Sequence, residues 1–338
     1  MTIARLTRDG VAQRMFPGAV VYVSCGARVL LHGAFGSTTC DPATSRAIRL
    51  GDLLDLASLT KLYTTALVLR LIERGVLRLD VAVRRHLPEV ETDWTLEDLL
   101  AHRTGTTADL LGEAVRHGVR PCDPGQSDAL WRVVFGCRSV VALAERQSHY
   151  SDVDFLLAQA VCERATGRGL VALMATEVFE PLCLRDTCFC PSDIARCVPT
   201  EVDERWRHRL VVGEVHDEMA ATLGGVTGHA GLFATAEDVG RFCEAWLAEG
   251  RLGVAFERHS DHFGLGWRLC DESFFPSLAR YGVVGHLGFT GTSTFLFPHS
   301  QAVFVLLSNR VHPRRDAGPS RVPLLAQIAE KVGRACGV

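Results

Sequence analysis

In the stretch DLASLTKLYTT, residues 55–65, Ser58 and Lys61 stand three apart inside an apolar run that continues through Ala66, Leu67 and Leu69. On a helix, positions i and i+3 share a face, so the hydroxyl and the amine can meet. A lysine without its proton can accept the serine's and turn the alcohol into a nucleophile. The chain's use of lysine points the same way. Of its 36 basic residues only Lys61 and Lys331 are lysine. The other 34 are arginine, which does not deprotonate in proteins. A lysine kept at an apolar site in such a chain suggests a neutral amine. The alternative is a stem laid along apolar surface with its head in water.

Two other stretches carry chemistry-bearing residues. In HYSDVDF, Tyr150 is one of only four tyrosines and precedes Ser151, a good N-cap, with Asp154 three on as in a capping box. A phenol at a helix mouth can pass a proton to a leaving group. The plainer reading is a cap with a tyrosine packed beside it. Asp152 would hydrogen-bond the lysine or a substrate. In GHLGFTGTS, Gly285, Gly288 and Gly291 let another backbone or a ligand come close. An edge strand there would offer N–H donors to an oxyanion. His286 could orient or protonate a substrate, or could be a hydrogen-bonded turn histidine.

These residues need elements to hold them. GAVVYVSCGARVLLHGAFG, residues 18–36, reads as a β-hairpin about Cys25-Gly26. A helix is expected over 58–74, stopped by Gly75. Thr95 and Asp98 form a capping-box pattern for a short helix, and further helices are expected over 153–166, ending at Gly167, and 169–180. GLFATAEDVGRFCEAWLAEG reads as a capped helix. FGLGWRLC, YGVVGHLGFTGTSTFLFP and QAVFVLLSNR read as strands, and VPLLAQIAEKVGRA closes the chain as a helix. Strands near both ends and helices between them predict an antiparallel sheet built from both termini with a largely helical insertion.

Taken in order, DLASLTK, YSD and HLGFTG resemble the S-x-x-K, Y-x-N and K-T-G motifs of the serine β-lactamase and penicillin-binding-protein superfamily. The tyrosine of the second motif resembles class C β-lactamases, related D,D-peptidases and family VIII esterases. LLAHRTG, EPLCLRDTCF, GHAGLFATAEDVGRF, FGLGW and VLLSNRVHP are similar to further family stretches, so the likeness runs from about residue 18 to 312. It implies an α/β (α+β) fold of the β-lactamase/transpeptidase-like type, an antiparallel sheet flanked by helices plus an all-helical domain. Residues 1–57 and 219–338 would form the first part and 58–218 the second, with the site between them. It implies acyl transfer through Ser58, with Lys61 and Tyr150 handling the proton and the backbone N–H groups of Ser58 and Phe289 forming an oxyanion hole. Gly288 and Thr290 would line the substrate site. A loop GEVHDEMAATLGGVTGHAG, similar to a V-H-D-x-N-A loop of some members, would bring His216, Asp217 and His229 to the pocket. Their spacing fits no standard metal site, and no cofactor is implied.

Two departures bear on substrate. Asp152 stands where the family often has asparagine, and Leu287 stands where K-T-G has threonine. In β-lactam-using members that lysine and threonine help bind a carboxylate. Leu287 cannot, and an ionised Asp152 would repel one, so an ester, amide or peptide with a differently placed charge is expected. A D,D-carboxypeptidase or weak β-lactamase, and a slowly acylating sensor, are the alternatives. Composition sets the frame: 47% hydrophobic and 22% charged residues, net charge −3, fit a globular chain without nucleic-acid or membrane partners. The expected partner is a small-molecule or peptide acyl substrate. Twelve cysteines without a CxxC pair, and no apolar N-terminal segment, fit a cytoplasmic protein or one whose leader was removed. The cluster Cys183, Cys188, Cys190 and Cys197 reads as packing.

Overall fold

The computed structural model describes residues 2–26, 28–316 and 318–337. Gly18–Cys25 and Arg28–Gly36 pair antiparallel as the expected hairpin, with a bulge at Val23/Ser24. Ala27 lies outside the described residues. The hairpin then joins strands from the other end of the chain. Gly18–Cys25 pairs with Ala302–Ser308, Ala19 opposite Ser308. Ser293–Phe297, Val284–Leu287 and Arg268–Leu269 follow in that order, antiparallel throughout. FGLGWRLC therefore yields a strand of two residues only, and YGVVGHLGFTGTSTFLFP yields two strands about a tight turn.

The sheet is buried on both faces. Side chains alternate along a strand, so Val20, Tyr22, Val303, Val305 and Leu307 enter one core, shared with Val239, Phe242 and Trp246 of the helix Ala236–Ala248. Ala19, Val21, Val23, Phe304 and Leu306 enter the other, shared with Leu325, Ile328 and Val332 of the helix Val322–Ala335. Continuous apolar strands are the sequence mark of a sheet covered on both sides.

The central helix, Thr60–Glu73, follows a tighter turn of helix over Ala57–Leu59 and ends before Gly75 at φ +71°. Eleven of its 14 residues are buried, so it is apolar nearly all round. That is why the Lys61 side chain is buried along its whole length. The helix Asp152–Thr166 packs against it and stops at Gly167, φ +67°. Thr95 and Asp98 do form a reciprocal capping box. Two local details differ from expectation. The segment after Gly169 is α-helical only over Leu170–Met174, then widens to a π-turn over Ala175–Phe179. Ser151 caps Val153 N at 3.2 Å, but Asp154 turns inward instead of back to the cap. A small sheet not expected from the sequence pairs Leu54–Asp55 with Leu232–Ala234, and that strand with Thr187–Phe189. It fixes the chain just before Ser58. All twelve cysteines are free thiols. Among the described residues no helix is long and apolar enough to cross a membrane.

Candidate active site

Asp55 builds the turn that presents Ser58. Its buried carboxylate accepts from Ala57 N at 2.8 Å and from His216 N at 2.7 Å. Burial pushes its pKa above the usual carboxylate range, while the two N–H donors pull the other way. Ala57 sits at φ +47°, a left-handed conformation costing about 1–3 kcal/mol for a residue with a Cβ. The Asp55 contact helps to hold it there. Ser58 then opens onto a cleft of about 620 Å³ shared with Tyr150, His286, Leu287, Gly288 and Phe289.

Lys61 meets Ser58 as the i, i+3 spacing requires: Nζ lies 3.1 Å from Ser58 Oγ. It also donates to Asp152 Oδ1 at 2.7 Å and to the His229 carbonyl at 3.2 Å. Lys61 is fully buried. Burial pulls its pKa down most strongly, yet the Asp152 carboxylate and Tyr150 outweigh that and hold it above the ordinary lysine value. The expectation of a neutral resting amine is therefore corrected. An ammonium with three acceptors for its three protons sits there, because a carboxylate is in contact with it. Asp152 does bond the lysine, so its charge is matched and does not stand free to repel an anion. Tyr150 lies with its ring centroid 4.9 Å from Nζ and its phenol within reach of both Lys61 and Ser58. Burial raises the phenol's pKa, so it is protonated.

The turn Gly288–Thr292 is docked onto the residues before Ser58. Thr290 Oγ1 donates to Asp55 O at 2.8 Å and Thr292 Oγ1 to Leu56 O at 2.9 Å. A Cβ on Gly288 would fall 2.0 Å from Thr292 Oγ1 and 2.6 Å from Leu56 O. The glycine thus admits another stretch of backbone, as one reading of the motif anticipated. Among the described residues neither Ser58 N–H nor Phe289 N–H donates to a protein acceptor, and both residues line the cleft. Arg321 donates to the carbonyls of Gly288, Gly291 and Thr292 at 2.8–3.0 Å and so fastens the same turn to the last helix.

Several expected site residues sit elsewhere. Thr290 is buried and its hydroxyl is spent on Asp55, so it cannot replace the missing K-T-G hydroxyl. His216 bonds Glu201 Oε2 through Nε2 at 2.8 Å and stacks under Phe289, behind the cleft wall. Asp217 caps the helix Glu218–Thr222 and contacts His229 Nε2 at 3.1 Å, which holds its carboxyl well below the usual range despite burial. Asp152, Asp217 and His229 approach one another within 4.8 Å, but the first is bonded to Lys61 and the other two to each other. His286 does line the cleft. Its Nδ1 lies 3.0 Å from Leu287 O, and burial pushes its pKa down to about 3, so it is an acceptor at Nε2 and cannot protonate a substrate near neutral pH.

Sequence reasoning missed two groups. His102, within LLAHRTG, packs its ring 4.5 Å from Tyr150. Its Nδ1 accepts from Ser151 N at 3.3 Å and lies 2.9 Å from Asp154 Oδ2. Burial raises the pKa of Asp154 and pushes His102 down to about 3, so the proton they share rests on the carboxyl. The second group is a wall of arginines: Arg268, Arg310 and Arg321 line the cleft. Among the described residues none of the three is ion-paired with a carboxylate. Burial lowers the pKa of each, that of Arg321 to about 9. Arg268 lies over Phe263 and Phe274 with its Nε buried and unbonded.

Residues 3–327 match the sequence model of the β-lactamase family. The chain belongs to the β-lactamase family. As a member it is a serine hydrolase of the β-lactamase and penicillin-binding-protein superfamily, as its motifs imply. It is 29% identical over 308 residues to a putative D-alanyl-D-alanine carboxypeptidase of Escherichia coli K12, covering 78% of this chain and 70% of that one. The fold matches EstCE1, a hydrolase with promiscuous acyltransferase activity, at TM-score 0.76, with 20% identity over 98% of this chain and 97% of that one. It matches a class C β-lactamase from Rhodobacter sphaeroides at TM-score 0.73, with 17% identity over 98% of each chain.

Proposed function

We propose that this hydrolase cleaves an acyl bond through a Ser58 acyl-enzyme, and that its substrate is a peptide ending in a free carboxylate. Ser58 Oγ attacks the carbonyl carbon. Lys61 and Tyr150 move the proton from Ser58 to the leaving group. The free N–H groups of Ser58 and Phe289 receive the developing oxyanion, a device worth about 3–4 kcal/mol per donor. Water then repeats the sequence and releases the acid. The nucleophile's geometry is the 3.1 Å contact between Ser58 Oγ and Lys61 Nζ. The observation that carries the substrate reading is the arginine wall: Arg268 and Arg310 face the cleft without a carboxylate of the protein's own. Cationic groups held in a half-dry cleft favour an anionic ligand and steer it in. They take the place of the hydroxyl lost at Leu287. The carboxypeptidase naming of the Escherichia coli relative agrees with this choice.

A second reading, hydrolysis of esters with apolar acyl groups, is favoured by Phe263, Phe274, Leu287 and Phe289 in the same cleft. A panel of an acylated D-Ala-D-Ala peptide, p-nitrophenyl esters of graded chain length and a chromogenic cephalosporin separates the two. The expected result is the highest kcat/KM on the peptide. Higher kcat/KM on a neutral ester, rising with chain length, replaces the peptide reading with the ester one.

A further inference from the structure

We propose that Asp152 is the final acceptor of the Ser58 proton, reached through Lys61. The inference rests on the Ser58 acyl-enzyme reading and concerns where its proton goes. Lys61 Nζ is surrounded by three acceptors: Asp152 Oδ1 at 2.7 Å, Ser58 Oγ at 3.1 Å and His229 O at 3.2 Å. Three acceptors use all the protons of an ammonium, so the nitrogen has no lone pair for a fourth. To take the serine proton it must release one of its own. The His229 carbonyl is not basic, and Ser58 is the group being deprotonated. That leaves Asp152, at the shortest of the three distances.

The other ionisable groups around Lys61 do not replace it. Tyr150 already carries its proton. Asp154 also carries one and is bonded to His102, Thr104 and Thr106. Asp217 and His229 are paired with each other. Neither His102 nor His286 is bonded to Ser58 or Lys61 among the described residues. An asparagine at position 152 could hold the lysine but could not receive a proton; this chain has the acid.

The step balances as follows. As the bond from Ser58 Oγ to the carbonyl carbon forms, the hydroxyl proton passes to Lys61, and Lys61 passes one proton to Asp152 Oδ1. The tetrahedral oxyanion then faces a neutral carboxylic acid and an unchanged ammonium. When the acyl–leaving-group bond breaks, the proton stored on Asp152 returns through Lys61, the donor 3.1 Å from Ser58 Oγ, with the Tyr150 phenol beside it, and the leaving group departs neutral. Asp152 is again a carboxylate, ready for the water step.

The test uses p-nitrophenyl acetate, whose leaving group needs no protonation, so the burst of p-nitrophenolate reports proton removal from Ser58 alone. Intact-mass spectrometry confirms the adduct. At neutral pH, Asp152→Asn is expected to acylate slower by about 10²–10⁴-fold, the usual span of a proton-transfer residue, with KM little changed. Its rate should climb with pH as Lys61 loses its proton to solvent, while the wild-type rate stays flat. Asp152→Glu should recover at least about tenfold over the amide. An amide variant that acylates Ser58 at nearly the wild-type rate overturns the proposal. So does one whose loss lies in KM with an unchanged pH profile, which marks Asp152 as structural. If the amide variant does not fold, wild-type acylation in mixtures of H2O and D2O decides. Two protons in flight bow the plot of rate against deuterium fraction, and a straight line overturns the relay. A wild-type enzyme that never carries the adduct on Ser58 removes the acyl-enzyme reading and the relay together.

Discussion

The two walls of the cleft treat charge in opposite ways. On the Ser58 side, ionisable groups are partnered inside the protein: Lys61 with Asp152 at 2.7 Å, Asp217 with His229 at 3.1 Å, and His102 with Asp154 at 2.9 Å. Along the rest of the cleft lining, Arg268, Arg310 and Arg321 have no carboxylate partner among the described residues and depend on carbonyls, a serine hydroxyl and aromatic faces. A buried charge without a partner is expensive. Paired groups hold a reaction geometry in place before the substrate arrives. Unpaired ones retain attraction for an ion that the substrate brings.

The largest effect should come from breaking the paired side. Lys61→Arg keeps the charge and the contact with Asp152 but cannot pass on a proton. Turnover should fall by about 10²–10⁴-fold or more while the fold, followed by circular dichroism, is retained. An arginine enzyme with wild-type kcat would show that position 61 serves only as a charge. A smaller effect is expected from the unpaired side. Arg268→Ala should raise KM about 10–100-fold for a peptide with a free C-terminal carboxylate, the value of a charge-assisted hydrogen bond. It should leave a neutral p-nitrophenyl ester nearly untouched. Equal losses on both substrates would mean that Arg268 only supports the cleft.

The smallest effect belongs to the neutral couple and is read as stability against pH. Between the ordinary carboxylate value of 3.8 and the ordinary histidine value of 6.5, the unfolded chain holds one proton on His102 and the folded chain holds one on Asp154. The pair then contributes no slope. Above 6.5 the unfolded chain holds neither, while the raised pKa of Asp154 keeps its proton in the fold. That contribution to stability is therefore lost as pH rises toward the folded pKa of Asp154, by about 1.4 kcal/mol per pH unit. Asp154→Asn should flatten this alkaline decline in denaturant titrations compared across pH. An unchanged slope would mean that the alkaline decline does not come from this couple.

The paired side was largely legible in the sequence and the unpaired side was not. Ser58, Lys61 and Tyr150 are marked by residue type at local spacing, and Lys61 stands out further because the chain otherwise avoids lysine. The fully buried strands and the helix ends at Gly75 and Gly167 follow from short-range patterns as well. What failed depended on contacts far apart in the chain. Sequence alone leaves Asp152 between the lysine and a substrate because its partner lies 91 residues away. Thr290 looked free because its acceptor, Asp55, lies 235 residues away. The arginine wall gathers residues from a two-residue strand, a loop and the start of the last helix, each inconspicuous among 34 arginines. His102 and Asp154 would have needed their 2.9 Å contact to be noticed.

The most direct test is rapid-quench mass spectrometry of the enzyme mixed with an acylated D-Ala-D-Ala peptide, beside the same peptide capped as a C-terminal amide. An adduct of the acyl-D-alanyl mass should build up on the Ser58 peptide, faster by about 10-fold or more for the free acid, and be absent from Ser58→Ala. An adduct on another residue, or equal rates for acid and amide, would contradict the account.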